Sequence, residues 1–452
     1  MSGKITLTIA TGPKAGTTFV FEEHDTLLLG RERDCQVCLP EDPQVSRHHF
    51  ILEVNPPDIR IRDLGSLHGT YINGQKYGGR GKHEMPEEGV GRTFVQIDLH
   101  DGDEIKAGKT TFQVRVEATS TRKLRRCLQC YDWISIEDGE SGQDDNTCAS
   151  CRQVQDRPEA GLLSLYEQSQ SLTQKGINVP DYKIIQELSR GGMGVVYLAQ
   201  HIKDGRQAAL KIMPSRGAVD ERSHQKFLRE MEATRALRHP HIITFLDSGA
   251  QHGIFYFLLE FCEGGNVANW MERRGGRLTL EEAGPIILQT LQGLAFAHKQ
   301  GFVHRDIKPQ NILLRGKEGF WGAKLSDLGI AKNFEQAGFS GLTITGEKVG
   351  TFQFMPREQV THYKRFKPTS DVWAMGATCY YLLTGSFPRN HLDTLDQVEV
   401  ILRGEIIPIR TRDQSISKPI AEVIDRSLAD KVSERYQHAG EMYEALKKVL
   451  ST

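Results

Sequence analysis

The first 118 residues alternate apolar and polar positions in short runs. Examples are KITLTIA from residue 4, HFILEV from residue 49 and TFQVRV from residue 111. Turn pairs such as Asn73-Gly74 and Asp101-Gly102 separate these runs. A hydrophobic period of two between turn residues is typical of strands that bury one face, so the pattern predicts an all-β sandwich over residues 1–118.

The pattern changes twice further along the chain. Residues 119–155 are polar and contain two CxxC pairs, which fits a small cross-linked module. Residues 156–180 are predicted to be a linker, although a few apolar positions around Leu162 and Tyr166 leave a short amphipathic helix as an alternative. From residue 181 a strand-rich stretch gives way near Glu260 to helical periodicity, as in EEAGPIILQTLQGLAFAHKQG from residue 281. This predicts a two-lobed α+β domain over residues 181–450.

Charge and hydropathy exclude several classes of partner. The chain has 57 Lys and Arg against 58 Asp and Glu, so the overall balance gives no case for binding nucleic acid. The longest nearly uncharged apolar stretch, Val372 to Leu383, is shorter than the roughly 18 to 20 residues of a membrane span. We therefore expect a soluble, cytoplasmic protein with no membrane span.

The C-terminal domain carries an ordered set of motifs. A glycine-rich turn, LSRGGMGVVYLA from residue 188, precedes Lys211 in AALKI and Glu230 in an amphipathic stretch. HRDIKPQN follows at residues 304–311 and SDLG at residues 326–329. Together these motifs resemble the protein kinase family over about residues 182–447. The resemblance implies a two-lobed kinase fold that uses ATP and Mg²⁺.

The resemblance also implies a role for each matched residue. Asp306 would accept the proton of the attacking hydroxyl, and Lys308, typical of the Ser/Thr branch, would neutralise the transferring phosphoryl group. Asn311 and Asp327 would bind Mg²⁺ through oxygen. ATP would be held by the glycine-rich turn, by a lysine oriented by a glutamate, and by apolar and hinge positions: Leu188, Gly191, Gly194, Val196, Ala209, Lys211, Glu230, Glu260, Cys262 and Leu313.

Three positions depart from the kinase pattern. Ser189 replaces the first glycine of the phosphate turn, Leu328 replaces the phenylalanine that usually follows the metal-binding aspartate, and MPRE at residues 355–358 replaces the usual APE. The last change affects the segment that binds substrate. Glu358 and Arg435 are expected to form the ion pair that anchors this segment, and Asp371 is expected to brace the catalytic loop.

The N-terminal domain resembles the forkhead-associated (FHA) family over most of residues 3–117. The resemblance rests on Gly30-Arg31, on SRHH from residue 46, on DLGSLHGTYING from residue 63 and on HDGDEIKAG from residue 100. It implies phosphothreonine binding by Arg31, Ser46 and Arg47, with Asn73 near the bound peptide and His49 supporting the loop. His68 stands where the family usually has asparagine.

Six of the eight cysteines lie in CxxC pairs. Cys127, Cys130, Cys148 and Cys151 fit two knuckles around one structural Zn²⁺ in a zinc-ribbon-like module, with a redox dithiol as the alternative. The third pair, Cys35 and Cys38, has no second pair nearby and is expected to pack within a strand.

Two function classes follow from these motifs. The first is a Ser/Thr protein kinase that phosphorylates protein substrates and reads phosphothreonine on other proteins or on its own loops. The second is a pseudokinase-like scaffold that binds phosphoproteins, which the complete catalytic set disfavours. Regulation is expected through Arg305 and a phosphorylated loop containing Thr343 and Thr345.

Overall fold

The computed structural model describes residues 3–79, 96–117, 179–191, 194–214, 234–251, 254–328, 352–361, 366–390 and 397–451, with a few further positions between them. These residues divide into two compact units. One comprises residues 118–219 and 245–261, and the other comprises residues 2–117, 220–244 and 262–452. Each unit is described by itself below.

Residues 3–117 form a β-sandwich, as the alternating pattern predicts. One sheet has the strand order β2-β1-β11-β10-β7-β8 and the other has the order β4-β3-β5-β6-β9. The strands are β1 Lys4–Thr11, β2 Thr18–Phe21, β3 Asp25–Gly30, β4 Val37–Cys38, β5 Phe50–Asn55, β6 Asp58–Asp63, β7 Thr70–Ile72, β8 Gln75–Tyr77, β9 Ile97–Leu99, β10 Glu104–Ala107 and β11 Thr110–Glu117. Alternate residues of the two sheets, such as Leu7, Leu52 and Phe112, fill the space between them.

The first unit is built on an antiparallel five-stranded sheet. Its order is β14-β15-β16-β18-β17, from β14 Tyr182–Gly191, β15 Gly194–His201, β16 Gln207–Pro214, β17 Phe245–Gln251 and β18 Ile254–Glu260. Two short strands, β12 Leu124–Arg126 and β13 Trp133–Ser135, pair with each other earlier in the chain. Val179, which the sequence analysis assigns to the linker, is buried in the core of the large sheet.

Residues 262–451 form a mainly helical part with one β-hairpin. The helices are α1 Val267–Arg273, α2 Leu280–Lys299, α3 Arg357–Thr361, α4 Pro368–Thr384, α5 Gln397–Arg403, α6 Ile409–Arg412, α7 Lys418–Ser427 and α8 Ala439–Leu450. The hairpin strands are β19 Ile312–Lys317 and β20 Phe320–Leu325. Thr279 and Glu282 form a reciprocal capping box at the start of α2, which satisfies two backbone donors there. None of the helices in the described residues is long and apolar enough to cross a bilayer.

Helix α4 forms the centre of the helical part. Nearly every residue of this helix is buried, including Trp373 and Tyr380. The helix ends at Gly385, whose φ of 68° is the left-handed conformation that glycine adopts at helix C-termini. A helix that is buried on all sides provides a rigid support for the loops that cross its N-terminal end.

The sandwich packs directly on the helical part within the second unit. Strand β5 is buried at every position, because Phe50, Leu52 and Val54 face the sandwich core while Ile51 faces outward against helices. A single apolar cluster joins the two parts: Leu28, Cys35, Ile51 and Leu64 of the sandwich with Val360, Val398, Ile401 and Leu402 of α3 and α5. The outer face of this sheet is therefore an interface and not a solvent-exposed surface.

Candidate active site and phosphate-reading loops

The loop that precedes β19 is braced by the carboxylate of Asp371, which is 1% exposed. The backbone N–H groups of His304 and Arg305 donate to Asp371 at 2.7 and 2.8 Å. His298 donates its Nε2–H to the same carboxylate at 2.9 Å, since its Nδ1 accepts from the N–H of Ala439. These bonds hold the loop at the N-terminal end of α4. Within the loop, Arg305 has a φ of 70°. The expected bracing role of Asp371 is confirmed.

Three of the predicted catalytic side chains meet in this loop. Lys308 Nζ lies 3.0 Å from Asp306 Oδ2, and the Asn311 side-chain amide donates to Asp306 Oδ2 at 3.0 Å and to its carbonyl oxygen at 2.7 Å. Asn311 uses its nitrogen for these bonds, which leaves its Oδ1 without a hydrogen-bond donor among the described residues. A positioned carboxylate beside an ammonium group and a free amide oxygen can orient a hydroxyl, bind a phosphoryl group and ligate a hard cation.

The predicted second metal ligand follows β20. The carbonyl of Asn311 accepts from both the N–H and the hydroxyl of Ser326, at 2.9 and 3.0 Å, so the segment that carries Asp327 is tied to the catalytic loop. His304 strengthens this tie, because its Nδ1 accepts from the Asp306 N–H and its Nε2–H donates to the Ser326 carbonyl at 2.8 Å. Asp327 has a φ of 59°. The side-chain oxygens of Asn311 and Asp327 are of the type that Mg²⁺ prefers, and their role as metal ligands stays a prediction.

Leu328 packs where the family pattern has phenylalanine. It is buried in an apolar cluster with Leu237, Ile242 and Ala297. The substitution therefore keeps the apolar anchor next to Asp327.

Three of the predicted ATP-binding residues of the first unit share one face of its sheet. Val196 pairs with Lys211 and Leu198 pairs with Ala209 across β15 and β16. Directly opposed residues of antiparallel strands point to the same face, and residues two apart on a strand do so as well. The core residues Val195, Tyr197, Leu210 and Ile212 occupy the other face. Val196, Ala209 and Lys211 thus lie together on the face that does not form the core.

The segment that ends with MPRE keeps the expected ion pair. Arg435 Nη1 and Nη2 donate to the two carboxylate oxygens of Glu358 at 2.6 and 3.2 Å. Arg435 is buried at 2% exposure, and Ser370 also donates to Glu358 at 3.0 Å. The side chain of Gln359 donates to the carbonyl of Arg305 at 3.2 Å, which joins α3 to the catalytic loop. The departure at Pro356 and Arg357 leaves the anchor of this segment in place.

The phosphate-reading loops of the sandwich lie between β3 and β5. The Arg31 N–H donates to the Ser46 carbonyl at 3.0 Å, so Arg31 and Ser46 lie on adjoining loops. His49 is fully buried and links the Ser46 loop to the segment that precedes β7. Its Nδ1 accepts from the Ser46 N–H at 3.0 Å, and its Nε2 donates to the Gly69 carbonyl at 3.3 Å. Burial lowers the pKa of His49, although the nearby carboxylate of Asp63 opposes this shift. The supporting role expected for His49 is confirmed.

Asn73 has a structural role in the turn after β7. Its φ of 49° places it in the tight turn between β7 and β8. Its side-chain nitrogen donates to Asp103 at 2.8 Å, and its side-chain oxygen accepts from the Glu104 N–H at 2.9 Å. One N–H and the oxygen of the amide thus hold β10, and the proximity of Asn73 to a bound peptide stays a prediction.

The third CxxC pair supports the same two loops. The thiol of Cys35 donates to the Arg47 carbonyl at 3.4 Å, and that of Cys38 donates to the Arg31 carbonyl at 3.5 Å. Cys35 is buried, which agrees with the packing role predicted for this pair. Sequence analysis missed that Asp34 and His48, whose side chains are 3.0 Å apart, lie beside Cys35.

A cleft of about 790 Å³ opens where these loops meet the helical part. The residues Glu32, Arg33, Asp34, Arg47 and His48 line its sandwich side. The helical side of the cleft includes Arg357 at the start of α3 and Asn390. The other residues on that side lie in α5 or just after it: Glu399, Val400, Leu402, Arg403, Gly404, Glu405 and Ile407. Burial would raise the pKa of Asp34, but His48 and the charge of Arg357 outweigh it and hold the pKa below its usual value. The charges of the two parts therefore interact across the cleft.

Several predicted residues lie outside the described part of the chain. These are Glu230, the regulatory positions Thr343 and Thr345, and the cysteines Cys127, Cys130, Cys148 and Cys151. Their predicted roles, including the zinc site, stay predictions.

Curated relatives and solved structures match about 60% of this chain. PknF, a serine/threonine-protein kinase of Mycobacterium tuberculosis, is 31% identical over 274 residues, which cover 60% of this chain and 57% of PknF. PknB of the same organism is 30% identical over 265 residues, covering 58% of this chain and 41% of PknB. The chain thus spans about half the length of these relatives. The crystal structure of the PknI kinase domain of M. tuberculosis has 22% identity and a TM-score of 0.48, and it covers 61% of this chain and 98% of that chain.

Two families match along the sequence. Residues 182–448 match the protein kinase domain family, and residues 27–108 match the FHA domain family. The kinase match accounts for more than half of the 452 residues. The chain therefore belongs to the protein kinase family, and it carries an FHA domain ahead of its kinase domain.

Proposed function

We propose that the chain is a Ser/Thr protein kinase that transfers the γ-phosphoryl group of ATP to protein hydroxyls. The observation that carries this proposal is the contact of Asp306 with Lys308 and Asn311 in a loop braced by Asp371. A scaffold without activity would have no need for this arrangement, so the pseudokinase alternative is disfavoured. The Ser/Thr preference is supported by Lys308 and by the names of the relatives.

Each residue would have one task in the transfer. The acceptor hydroxyl gives its proton to Asp306 as its oxygen bonds to the γ-phosphorus, and the bond to the β-phosphate oxygen breaks to leave ADP. Lys308, held at 3.0 Å from Asp306, neutralises the charge on the transferring group. Lys211 would bind the α and β phosphates, and Asn311 and Asp327 would hold Mg²⁺, which supplies further charge neutralisation. Catalysis then depends on positioning and charge more than on covalent chemistry.

The FHA domain is proposed to read phosphothreonine through Arg31, Ser46 and Arg47. Arg31 and Arg47 are exposed, and the buried network of His49 fixes the loop that presents Ser46. Ser46 already accepts a bond from the Leu67 N–H at 2.9 Å, and its hydroxyl proton remains available to donate to a phosphate. The bound groups would be phosphothreonines of other proteins or of this chain. A cytoplasmic setting suits the free thiols of the described cysteines.

The kinase proposal is tested by phosphoryl transfer to a generic protein substrate with labelled ATP and Mg²⁺. Asp306→Asn keeps the shape of the side chain but removes the proton acceptor, so we expect transfer to fall by about 100-fold or more. Asp413→Asn serves as the control, because this half-buried carboxylate lies on the loop after α6, outside the catalytic loop, and pairs with Arg277. Turnover that is equal in Asp306→Asn and in the unchanged protein would overturn the proposal.

A further inference from the structure

The FHA domain is docked on the kinase domain through an apolar surface. In the FHA domain, Leu28 is fully buried, and Ile51 and Leu64 are at most 3% exposed. Their partners Val398, Ile401 and Leu402 of α5 are at most 2% exposed. A domain that moved freely on its tether would leave this contiguous apolar patch in water, which soluble proteins avoid. The FHA domain is therefore held in one position on the kinase domain.

This docking places the phosphate-reading loops next to the substrate segment of the kinase. Arg47 lines the same cleft as Arg357, the first residue of α3. Two residues later in this short helix, Gln359 donates to the carbonyl of Arg305 at 3.2 Å. Arg305 directly precedes the catalytic Asp306. One helix of five residues thus connects the reading loops with the catalytic loop.

The cleft keeps cationic groups available for an anionic ligand. Among the described residues, Arg33 and Arg47 are exposed and form no ion pair, and Nε of Arg357 is buried without a hydrogen-bond acceptor. Two of the acidic side chains in the cleft already have partners, since Asp34 contacts His48 and Glu399 pairs with Arg403. Glu32 and Glu405 remain as acidic residues on the lining. Arg47 would pair with the phosphate dianion. The peptide segment that flanks the phosphate would then lie in the cleft, toward Arg357.

We propose that the chain prefers protein substrates that already carry a phosphothreonine. The phosphothreonine binds at the FHA loops, its flanking segment lies in the cleft between these loops and helices α3 and α5, and a second Ser or Thr of the same substrate reaches the catalytic loop. This inference rests on the proposed kinase activity and phosphothreonine binding, and the transfer step itself is unchanged. Because the docked FHA domain fixes the separation of the two sites, the preference depends on the spacing between the phosphothreonine and the acceptor.

The experiment uses the full chain and pairs of peptides. Each pair carries one acceptor Ser joined by a Gly/Ser spacer to either phosphothreonine or threonine, with spacers of roughly 5 to 25 residues, since an extended residue spans about 3.3–3.6 Å. The ratio of kcat/KM between the two peptides of a pair measures the preference. We expect a ratio of about tenfold or more at the best spacing, falling at shorter and longer spacers. Arg47→Ala should return the ratio to one.

A second set of variants tests the docking surface. Ile401→Asp and Ile51→Asp place a charge in the contact from opposite sides, and the two residues lie in α5 and β5, not in the reading loops or the catalytic loop. Fluorescence anisotropy with a labelled phosphothreonine peptide shows whether the FHA domain is still folded and binding. We expect that affinity to remain within about twofold while the kcat/KM ratio falls to one. Val20→Asp is the control, because this FHA residue is 51% exposed on β2, and it should keep both the basal activity and the ratio.

The outcomes separate this inference from the proposed function. Absence of turnover on every peptide, or absence of phosphothreonine binding by the unchanged chain, contradicts the proposed function. Turnover and binding together with a ratio of one at every spacing overturn the inference alone. A tenfold ratio that survives in both Ile401→Asp and Ile51→Asp would also overturn it, because the docked contact would then not produce the preference.

Discussion

The two glycines of the phosphate turn differ in how strictly the backbone requires them. Gly194 has a φ of 147°, and a Cβ there would lie 1.9 Å from the Ile212 carbonyl oxygen. A Cβ at Gly191 would meet nothing within 4 Å. We therefore expect Gly194→Ala to destabilise the chain by about 1–3 kcal/mol and to raise KM for ATP, because the strained turn must shift relative to β16.

Gly191→Ala is the matched control for this prediction. It should change the midpoint of thermal unfolding and KM for ATP only slightly. If the two variants behave alike in thermal unfolding and in ATP kinetics, close backbone approach at Gly194 is not what the turn requires.

At the scale of single residues, sequence predicted the catalytic loop better than the reading loops. Asp306, Lys308 and Asn311 lie within six consecutive positions, so a local motif determines their contacts. The resemblance places Asn73 near a bound peptide, whereas its contacts in the fold are with Asp103 and Glu104, about thirty positions later. No local pattern reveals which of two plausible uses a side-chain amide has when its partner is that distant.

Helix α3 depends on the buried pair of Glu358 and Arg435 for its position. Glu358→Gln leaves the Arg435 guanidinium, 2% exposed, without a neutralising charge. Breaking a buried pair in this way costs about 3–5 kcal/mol, and the partial exposure of Glu358 favours the lower end. We expect this loss in urea unfolding together with weaker phosphorylation of protein substrates. Glu422→Gln, which removes an exposed pair with Lys418 in α7, should change stability little. Equal losses in both variants would show that burial of the pair is not decisive.

Among the elements, the strands of the sandwich followed from alternation, whereas their outer contacts did not. The alternating run around Ile51 predicts one buried and one exposed face. In the structure both faces of β5 are buried, because α3 and α5 cover the outer one. The apolar residues that cover it, Val398 and Ile401, lie more than 340 positions later, and periodicity within one strand carries no information about so distant a partner. The local sign of this covered face is Ile51 itself, an apolar residue at an outward position of the strand.

At the scale of the whole molecule, the zinc module remains a prediction from cysteine spacing. We expect about one equivalent of zinc per chain by elemental analysis, bound by Cys127, Cys130, Cys148 and Cys151. Replacing Cys127 and Cys148 with serine should release the metal and increase proteolysis between residues 120 and 155, since metal binding and folding are coupled in small modules. The pair of substitutions Cys35→Ser and Cys38→Ser should leave the metal content unchanged, because these thiols donate to backbone carbonyls. Zinc loss in the latter variant but not in the former would place the metal elsewhere.

The covered surface of α5 has a practical consequence for work on the catalytic half alone. A fragment cut after the FHA domain would expose Val398, Ile401 and Leu402 together with Val360, which are buried in the intact chain. Such a fragment would tend to self-associate, and its solubility and kinetics would reflect a surface that the native protein keeps covered. Polar replacements on that face, chosen beforehand, would be the starting point for producing a well-behaved catalytic fragment for inhibitor screening or crystallisation.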